Sequence, residues 1–414
     1  MAHIRPFRAV RPAADKVHLV ASRSYVTYSD EQLRDKLKHN PYSFVQIIHP
    51  DFNEAKPSEP GTPERFERVR AKYLEFLKQD ILQVDEQPAL YVYRQSHSKL
   101  DCIGIIGAVH NDDYRSKHVR IHEQTLAARE ALFAQYLDMT GFNAEPILLT
   151  HDDDEVLNGW LQALHGRTPD VHFTTADEVS HQLWKIDNVE ELDFLCGLYG
   201  RMGALYIADG HHRSASSVRL ADQRLNSGRA QQDDPVNYFL AFMIPASRLR
   251  IHGYHRLVRS LNGLSKEDFL KRLTDLPFVR LTELSEVAAL PGTGTILLYI
   301  EHTWHLVDFR AVAREEEPDA EWLTNHVLAP MLGIEDLRND SRIAFEPETT
   351  GMEQICARVD SGKYACAFFL HPVPFNQLKA VSDADRSLPP KSTWIEPKLR
   401  SGLVVYDFDN TPTF

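Results

Sequence analysis

Residues 208–213, Ala-Asp-Gly-His-His-Arg, set an acid, a glycine, two histidines and an arginine side by side between the apolar run ALYIA and the stretch SASSVRLADQRL. The first flank fits a buried strand and the second a helix with Ser214 near its start, which places Asp209 to Arg213 in a strand-to-helix turn. A helix start presents backbone N–H groups and the positive end of the macrodipole, and both favour an anion. Gly210 permits a turn and a close backbone approach, and Arg213 offers a planar fork of donors suited to phosphate oxygens. His211 and His212 can donate to phosphate or exchange a proton near neutral pH. Asp209 can hold magnesium, orient a histidine or act as a base. An ordinary connection with a surface arginine has the same spelling.

Other constellations are weaker or blander. In HVRIHEQT, His118 and His122 would share one face of a helix, a metal-capable spacing, but the H-E-x-x-H zinc pattern is not met, and Glu123 and Thr125 fit helix caps. HDDDE at 151–155 reads as a solvated loop and helix N-cap. HQLWKI at 181–186 alternates as a strand, with Trp184 in the core. His255 and Arg256 could add positive charge to a pocket, against a default of a buried histidine and a surface arginine. PPKSTWIEPKLRSG at 389–402 gathers Lys391, Ser392, Thr393, Lys398, Arg400 and Ser401 behind two prolines, a concentrated donor set that could receive an anion and is expected to approach the Asp209–Arg213 turn.

The elements that must position these residues alternate strand and helix. VHLVA, SDEQLRDKLKHN and YSFVQIIHP read as strand, helix, strand, with Ser29 or Asp30 as N-cap. FNEAKPSEPGTPERF reads as a surface loop before the helix ERVRAKYLEFLKQD. ALYVYRQS and CIGIIGAVH read as neighbouring strands around the turn HSKLD, and HEQTLAAREALFAQYLDMTG as a helix closed by Gly141. Further on, NYFLAFMIP and TILLYIEHTWHLVDF read as strands and residues 319–333 as a helix. The expected class is α/β to α+β, with mixed sheets and flanking helices. The expected regions are 1–262, with a subdivision near 150, and 263–414, which carries the basic loop 389–402.

The chain has 414 residues, 43% of them apolar, and a formal charge of −13. That size supports a large core, and the acidic balance argues against coating nucleic acid or an anionic membrane. The four cysteines are far apart with no metal-ligand spacing, the N-terminus has no apolar signal region, and no window suits a spanning helix. A cytoplasmic protein without nucleic-acid or membrane partners is expected.

The turn resembles the strand, G-x-H-R or G-x-R-R, helix motif of the ParB/sulfiredoxin superfamily, and its DGHHR form is similar to that of the free serine kinases within it. The chain resembles the DUF1015 family over nearly its whole length, through FRAVRP (7–12), NPYSF (40–44), PALYVYRQ (88–95), HEQT (122–125), ADGHHR (208–213), YHRLV (254–258) and PPKSTWIEPKLRSGLV (389–404). The resemblance implies a ParB/sulfiredoxin-like phosphate-binding core and a nucleotide, ATP or ADP with CTP as a further option, together with Mg2+. It implies Gly210, His212, Arg213 and Ser214 as phosphate holders and Asp209 or His211 as the proton-transfer group. Glu123 would hold the metal, with Asp209 as a second ligand, or act as a base. Lys391, Ser392, Thr393 and Lys398 would close over the anion, with His122, Thr125, His255 and Arg256 in support. The implied activity is phosphate transfer to a hydroxyl-bearing metabolite such as a free amino acid. The alternatives are a nucleotide-binding switch, with a homodimer as the element it would throw, and a nucleotide or phosphoester hydrolase. His211 stands where sulfiredoxin chemistry needs a cysteine, which disfavours a reductase. The family's V-A-x-P-Y-D-V-I segment is replaced by LVASRSYVTY at 19–28, with Ser24 for the proline and Val26 for the aspartate, and the segment after HEQT lacks the usual charged insertion.

Overall fold

A computed structural model of the chain describes residues 2–23, 28–52, 56–98, 100–287, 289–314 and 317–409. Ser24 and Val26, the departures from the family segment, lie outside the described residues. Two compact units are present: Met1–Arg120, Gln124–Leu249 and Pro397–Phe414 form the first, and Ile121–Glu123 with Arg250–Glu396 the second. The long chain break thus falls at 249/250, where the sequence suggested 262/263, and the basic passage 389–402 is divided between the units.

The main sheet of the first unit has nine strands. In chain order they are β1 (Ile4–Arg5), β2 (Leu90–His97), β3 (Leu100–His110), β4 (Val119–Arg120), β5 (Ile147–His151), β6 (Val171–Thr174), β7 (Ser180–Ile186), β8 (Leu205–Asp209) and β9 (Tyr238–Pro245). Across the sheet the order is β6-β7-β2-β3-β9-β5-β8-β4, with β1 on β3. β9 runs antiparallel to β3 and parallel to β5, while β8 runs antiparallel to β5 and parallel to β4. The sheet is mixed, as expected. β2 and β3 pair out to His97 opposite Leu100, so their turn is tighter than HSKLD.

The longer helices of the first unit are α1 (Asp30–His39), α2 (Pro63–Lys78), α3 (Ala127–Thr140), α4 (Glu155–Ala163), α5 (Val189–Arg201) and α6 (His211–Asn226). Local chemistry explains their starts. Ser29 and Gln32 form a capping box on α1, Thr62 caps α2 with Pro63 in its first turn, and Asp154 and Asn188 cap α4 and α5. The two apolar runs read as strands near the N-terminus are instead short helices, Val17–Val20 and Val45–Ile48. Runs of four or five apolar residues satisfy both the helical and the extended period, and here tertiary packing decides.

The second unit is built on a six-stranded sheet. Its strands are β10 (Tyr254–Val258), β11 (Arg280–Leu284), β12 (Thr295–Ile300), β13 (Thr303–Asp308), β14 (Ile343–Pro347) and β15 (Cys366–Leu370), in the order β11-β13-β12-β15-β10-β14 with every pair antiparallel. One core packs Phe269, Leu298, Phe309, Trp322, Leu328 and Phe368, and a second packs Leu257, Leu297, Ile355 and Phe369. The helix expected over 319–333 is present as α7 (Asp319–Leu323), a π turn over Thr324–Leu328 and α8 (Ala329–Leu332), closed by left-handed Gly333. Among the described residues, no helix is long and apolar enough to cross a membrane.

Candidate functional site

β8 is buried along Leu205–Ala208, which is why its sequence is a continuous apolar run. The chain then needs one residue to change direction. Gly210 supplies it with φ +105°, a backbone state that L side chains rarely adopt, and α6 begins at His211. The helix therefore starts three residues earlier than Ser214 suggested. His211, His212 and Arg213 form its first turn, and the connection itself is Gly210 alone. Gly210 brings no side-chain cap, so the helix start is a backbone surface with the macrodipole's positive end behind it.

α6 lies against α3 and buries Ser214, Ala215, Ser216, Ser217 and Val218. Small side chains allow that close packing, and the serines satisfy themselves on their own helix. Ser214 donates to the His211 carbonyl at 2.9 Å, Ser216 to His212 at 2.6 Å and Ser217 to Arg213 at 3.0 Å. Ser214, expected as a phosphate donor, is fully buried with its hydroxyl on its own helix. His211 is also buried, while His212 is partly exposed.

Four charged groups meet at the turn. Arg213 Nη2 lies 2.7 Å from Asp209 Oδ2, and its Nη1 lies 3.1 Å from Glu145 Oε1 and donates to the Pro146 carbonyl at 2.9 Å. Lys398 Nζ stands 3.8 Å from the other Asp209 oxygen. Ser401 donates to the second Glu145 oxygen at 3.4 Å, and the Gly402 amide donates to the Ala144 carbonyl. Part of the C-terminal basic passage therefore reaches the turn, as expected, through Lys398. Glu145 escaped the sequence reading because EPILL shows only an acid before a strand; its partners are 68 and 256 residues away. All four groups remain partly exposed, so their mutual attraction is solvent-screened.

Asp209 has a cation near each oxygen, Arg213 on one and Lys398 on the other. Among the described residues, no group of three or more histidine, cysteine or acidic side chains could hold a metal ion, and Glu123 belongs to the second unit while Asp209 belongs to the first.

The HEQT segment also differs from its expected form. Residues 121–126 are not helical, α3 begins at Ala127, and the Leu126 N-cap makes no side-chain bond. His118 and His122 therefore do not share a helix face, and Glu123 and Thr125 are not caps. Thr125 donates instead to the Glu130 carboxylate. His122 is buried, and its carbonyl accepts from the Leu388 amide within the second unit.

Lys391, Ser392 and Thr393 also belong to the second unit. Lys391 is exposed with Nζ 5.8 Å from the Tyr254 ring centroid, whereas Ser392 is buried and donates to the Pro389 carbonyl at 2.7 Å. Arg400 and Ser401 are buried in the first unit, where Arg400 pairs with Asp177 at 3.1 Å. Thr175 and the arginines Arg23 and Arg400 hold the Asp177 carboxyl below its usual range although burial opposes this.

Arg256 overturns the expectation of a surface arginine. It is fully buried in β10 between β15 and β14, donates to the Tyr254 carbonyl and lies 5.3 Å over the Phe345 ring. Burial lowers its pKa to about 9. His255, also buried, is pushed down to about 3 by burial and by Arg256. Both belong to the second unit's sheet.

A family model described as "Protein of unknown function (DUF1015)" matches residues 4–327, which leaves the C-terminal motif 389–404 outside the match. None of the curated proteins matches the sequence. Among solved structures, SbnI with a C-terminal truncation from Staphylococcus aureus is 13% identical, with 72% of this chain and 85% of that chain covered at a TM-score of 0.39. A free serine kinase in complex with AMP is 11% identical, with 72% and 90% covered at 0.35. A conserved hypothetical protein from Pyrococcus furiosus is 13% identical, with 74% and 97% covered at 0.34. Likeness at these scores carries no argument about the site.

Proposed function

We propose, for a chain that belongs to the DUF1015 family, that the Gly210 turn binds the phosphates of a nucleotide and that the protein transfers one of them to the hydroxyl of a small metabolite. The observation that supports this most is the meeting of a glycine-capped helix start with Arg213 and Lys398 on a single carboxylate. Phosphoryl transfer depends chiefly on positioning and on neutralising charge, and backbone amides with an arginine and a lysine supply both. His212 and Gly210 would complete the phosphate cradle. Glu145 and Asp209 would hold the Arg213 fork, and His211 would be the neighbouring proton-exchange group. Magnesium would arrive on the nucleotide phosphates, as it commonly does, since the protein's own carboxylates at the turn are paired with cations. A cytoplasmic setting and a small hydroxyl compound such as a free amino acid as acceptor belong to the same proposal.

A second reading, nucleotide binding without transfer, is favoured by the double pairing of Asp209, which leaves the turn without a carboxylate base. Thermal unfolding and phosphorus NMR of the wild type and Arg213→Ala, with ATP, ADP, CTP or GTP and magnesium, separate the readings. A nucleotide that raises the midpoint of the wild type alone supports phosphate recognition. A new phosphoester then means transfer, free phosphate means hydrolysis, and binding without turnover means a switch. If no nucleotide moves the wild type, the phosphate reading fails.

A further inference from the structure

In the first unit, the short strands Ser22–Arg23 and Arg400–Ser401 pair antiparallel, and their register sets Arg23 directly opposite Arg400. Like charges in that position repel, so the pairing calls for an anion beside it. Asp177, in the turn between β6 and β7, supplies one. Arg400 Nη2 stands 3.1 Å from its Oδ2, and Arg23 Nη2 pairs with the same oxygen.

A third cation belongs to the cluster without an ion pair of its own among the described residues. Lys36, in the last turn of α1, places Nζ 5.6 Å from the centroid of the Tyr28 ring, and the Tyr28 hydroxyl meets the Arg23 backbone. Burial lowers the Lys36 ammonium pKa, the charges of Arg400 and Arg23 lower it further, and Asp177 is the acid that opposes them. Three cations thus share one carboxylate, in a chain whose formal charge is −13.

The cluster is open to solvent on one side. The Arg23 side chain is 45% exposed and Lys36 is half-buried. Arg23 commits Nη2 to Asp177, and the remainder of its planar fork can serve a second acceptor. Arg400 is buried, with an Nε that lacks a hydrogen-bond partner, so it adds positive field from beneath rather than contact. A carboxylate or phosphate group laid across Arg23 and Lys36 would gain directed donors from one and a point charge from the other, and would offset the excess of cations.

We propose that Arg23 and Lys36, with the charge of Arg400 behind them, form a site for the acid group of a small metabolite, a carboxylate or a phosphate monoester. The site is independent of the phosphate reading of the Gly210 turn, which uses Arg213 and Lys398.

The test uses the full chain. Thermal midpoints and the NMR shifts of the Arg23 and Arg400 backbone amides are followed while sodium acetate, sodium phosphate or sodium chloride is added at neutral pH and constant ionic strength, in the wild type and in Arg213→Ala. Acetate or phosphate should move both amides saturably and raise the midpoint in both proteins, and chloride should do neither. A larger response to acetate assigns a carboxylate ligand, a larger response to phosphate assigns a phosphoryl group, and equal responses assign the oxyanion chemistry that they share. Lys36→Gln should weaken the tighter oxyanion roughly tenfold, the loss of one hydrogen bond to a charged group. Absence of a saturable shift with either oxyanion, an equal response to chloride, or wild-type affinity in Lys36→Gln overturns the proposal. So does a response that disappears in Arg213→Ala, which would belong to the Gly210 turn. Should Lys36→Gln fail to fold, Arg23→Gln replaces it with the same expected loss, and wild-type affinity there would equally overturn the proposal.

Discussion

A Cβ placed on Gly210 would sit 3.2 Å from the Arg213 guanidinium, on a backbone whose φ of +105° already disfavours any L side chain. Gly210→Ala should therefore cost about 1–3 kcal/mol in denaturant unfolding and shift Arg213 off Asp209 and Glu145. If the turn is the phosphate site, the same change should erase the nucleotide-induced rise in midpoint; a variant that keeps full stability and full binding would show that the left-handed turn is dispensable. Protons provide a second residue-scale test. Burial pushes His181 and His255 down to about 3, helped by Arg400 and Arg256 respectively. Those folded values lie below the ordinary histidine value of 6.5, so the unfolded chain binds the extra protons. Stability should be lost as pH falls from about 6.5 towards 3, at about 1.4 kcal/mol per pH unit for each histidine. Asp319 acts with the opposite sign, because a carboxyl raised from 3.8 to about 6 takes up its proton more readily in the folded state and its contribution is lost as pH rises between those values. His255→Gln, which keeps an acceptor for the Leu370 amide, should flatten the second unit's acid transition, read by urea unfolding at several pH values. An unchanged slope would mean that His255 is not held neutral.

At the scale of elements, long periodic segments and some side-chain caps were legible because their signals are local: α1 begins behind Ser29 and α4 behind Asp154 as read, whereas α2 begins at Pro63 behind Thr62, inside the stretch read as a surface loop. The start of α3 was not legible. HEQT looks like a capped first turn, yet Ile121–Glu123 belongs with the second unit, where the Leu388 amide bonds the His122 carbonyl, so the chain re-enters the first unit before it can coil. The helix consequently begins with Leu126 at its N-cap, 49% exposed, in extended conformation and with no side-chain bond. Leu126→Ser should supply the missing acceptor and raise stability by about 0.5–2 kcal/mol, measured as a shift in the denaturant midpoint at unchanged slope. A neutral or negative effect would show that the extended residue already satisfies those amides by other means. The candidate site was legible in the same uneven way. Gly210 and Arg213 are near neighbours in sequence, but Glu145 and Lys398 join them through strand pairing and the returning tail, which no spacing announces.

For the whole molecule, the informative feature is that the two units draw on the chain differently. The second is nearly continuous, Arg250–Glu396 with only three residues from elsewhere, and its sheet encloses its own packed cores on Phe269, Trp322, Phe368 and Phe369. The first is completed only by the end of the chain. Within residues 397–409, Leu399, Leu403, Val404, Val405, Tyr406 and Phe408 are all buried, the Val405 backbone exchanges hydrogen bonds with Val10, and Arg400 and Tyr406 pair with the strands at Arg23 and Asn143. Each large apolar side chain buried in this way contributes about 1.5–3 kcal/mol, so losing six, about 9–18 kcal/mol, is as large as the whole margin of a typical domain, about 5–15 kcal/mol. A fragment of residues 250–396 should accordingly unfold in one cooperative transition. Residues 1–249 alone should lack a cooperative transition and should also lack Lys398 at the Asp209 carboxylate, so nucleotide binding should be absent. Adding a peptide of residues 397–414 in excess should restore part of the transition, since binding to the folded form alone stabilises it by mass action. Heat-capacity traces of the three samples decide the matter: a sharp transition in 1–249 without the peptide would show that the tail adds surface contacts only, and that the first unit's core is already complete before the chain returns to it.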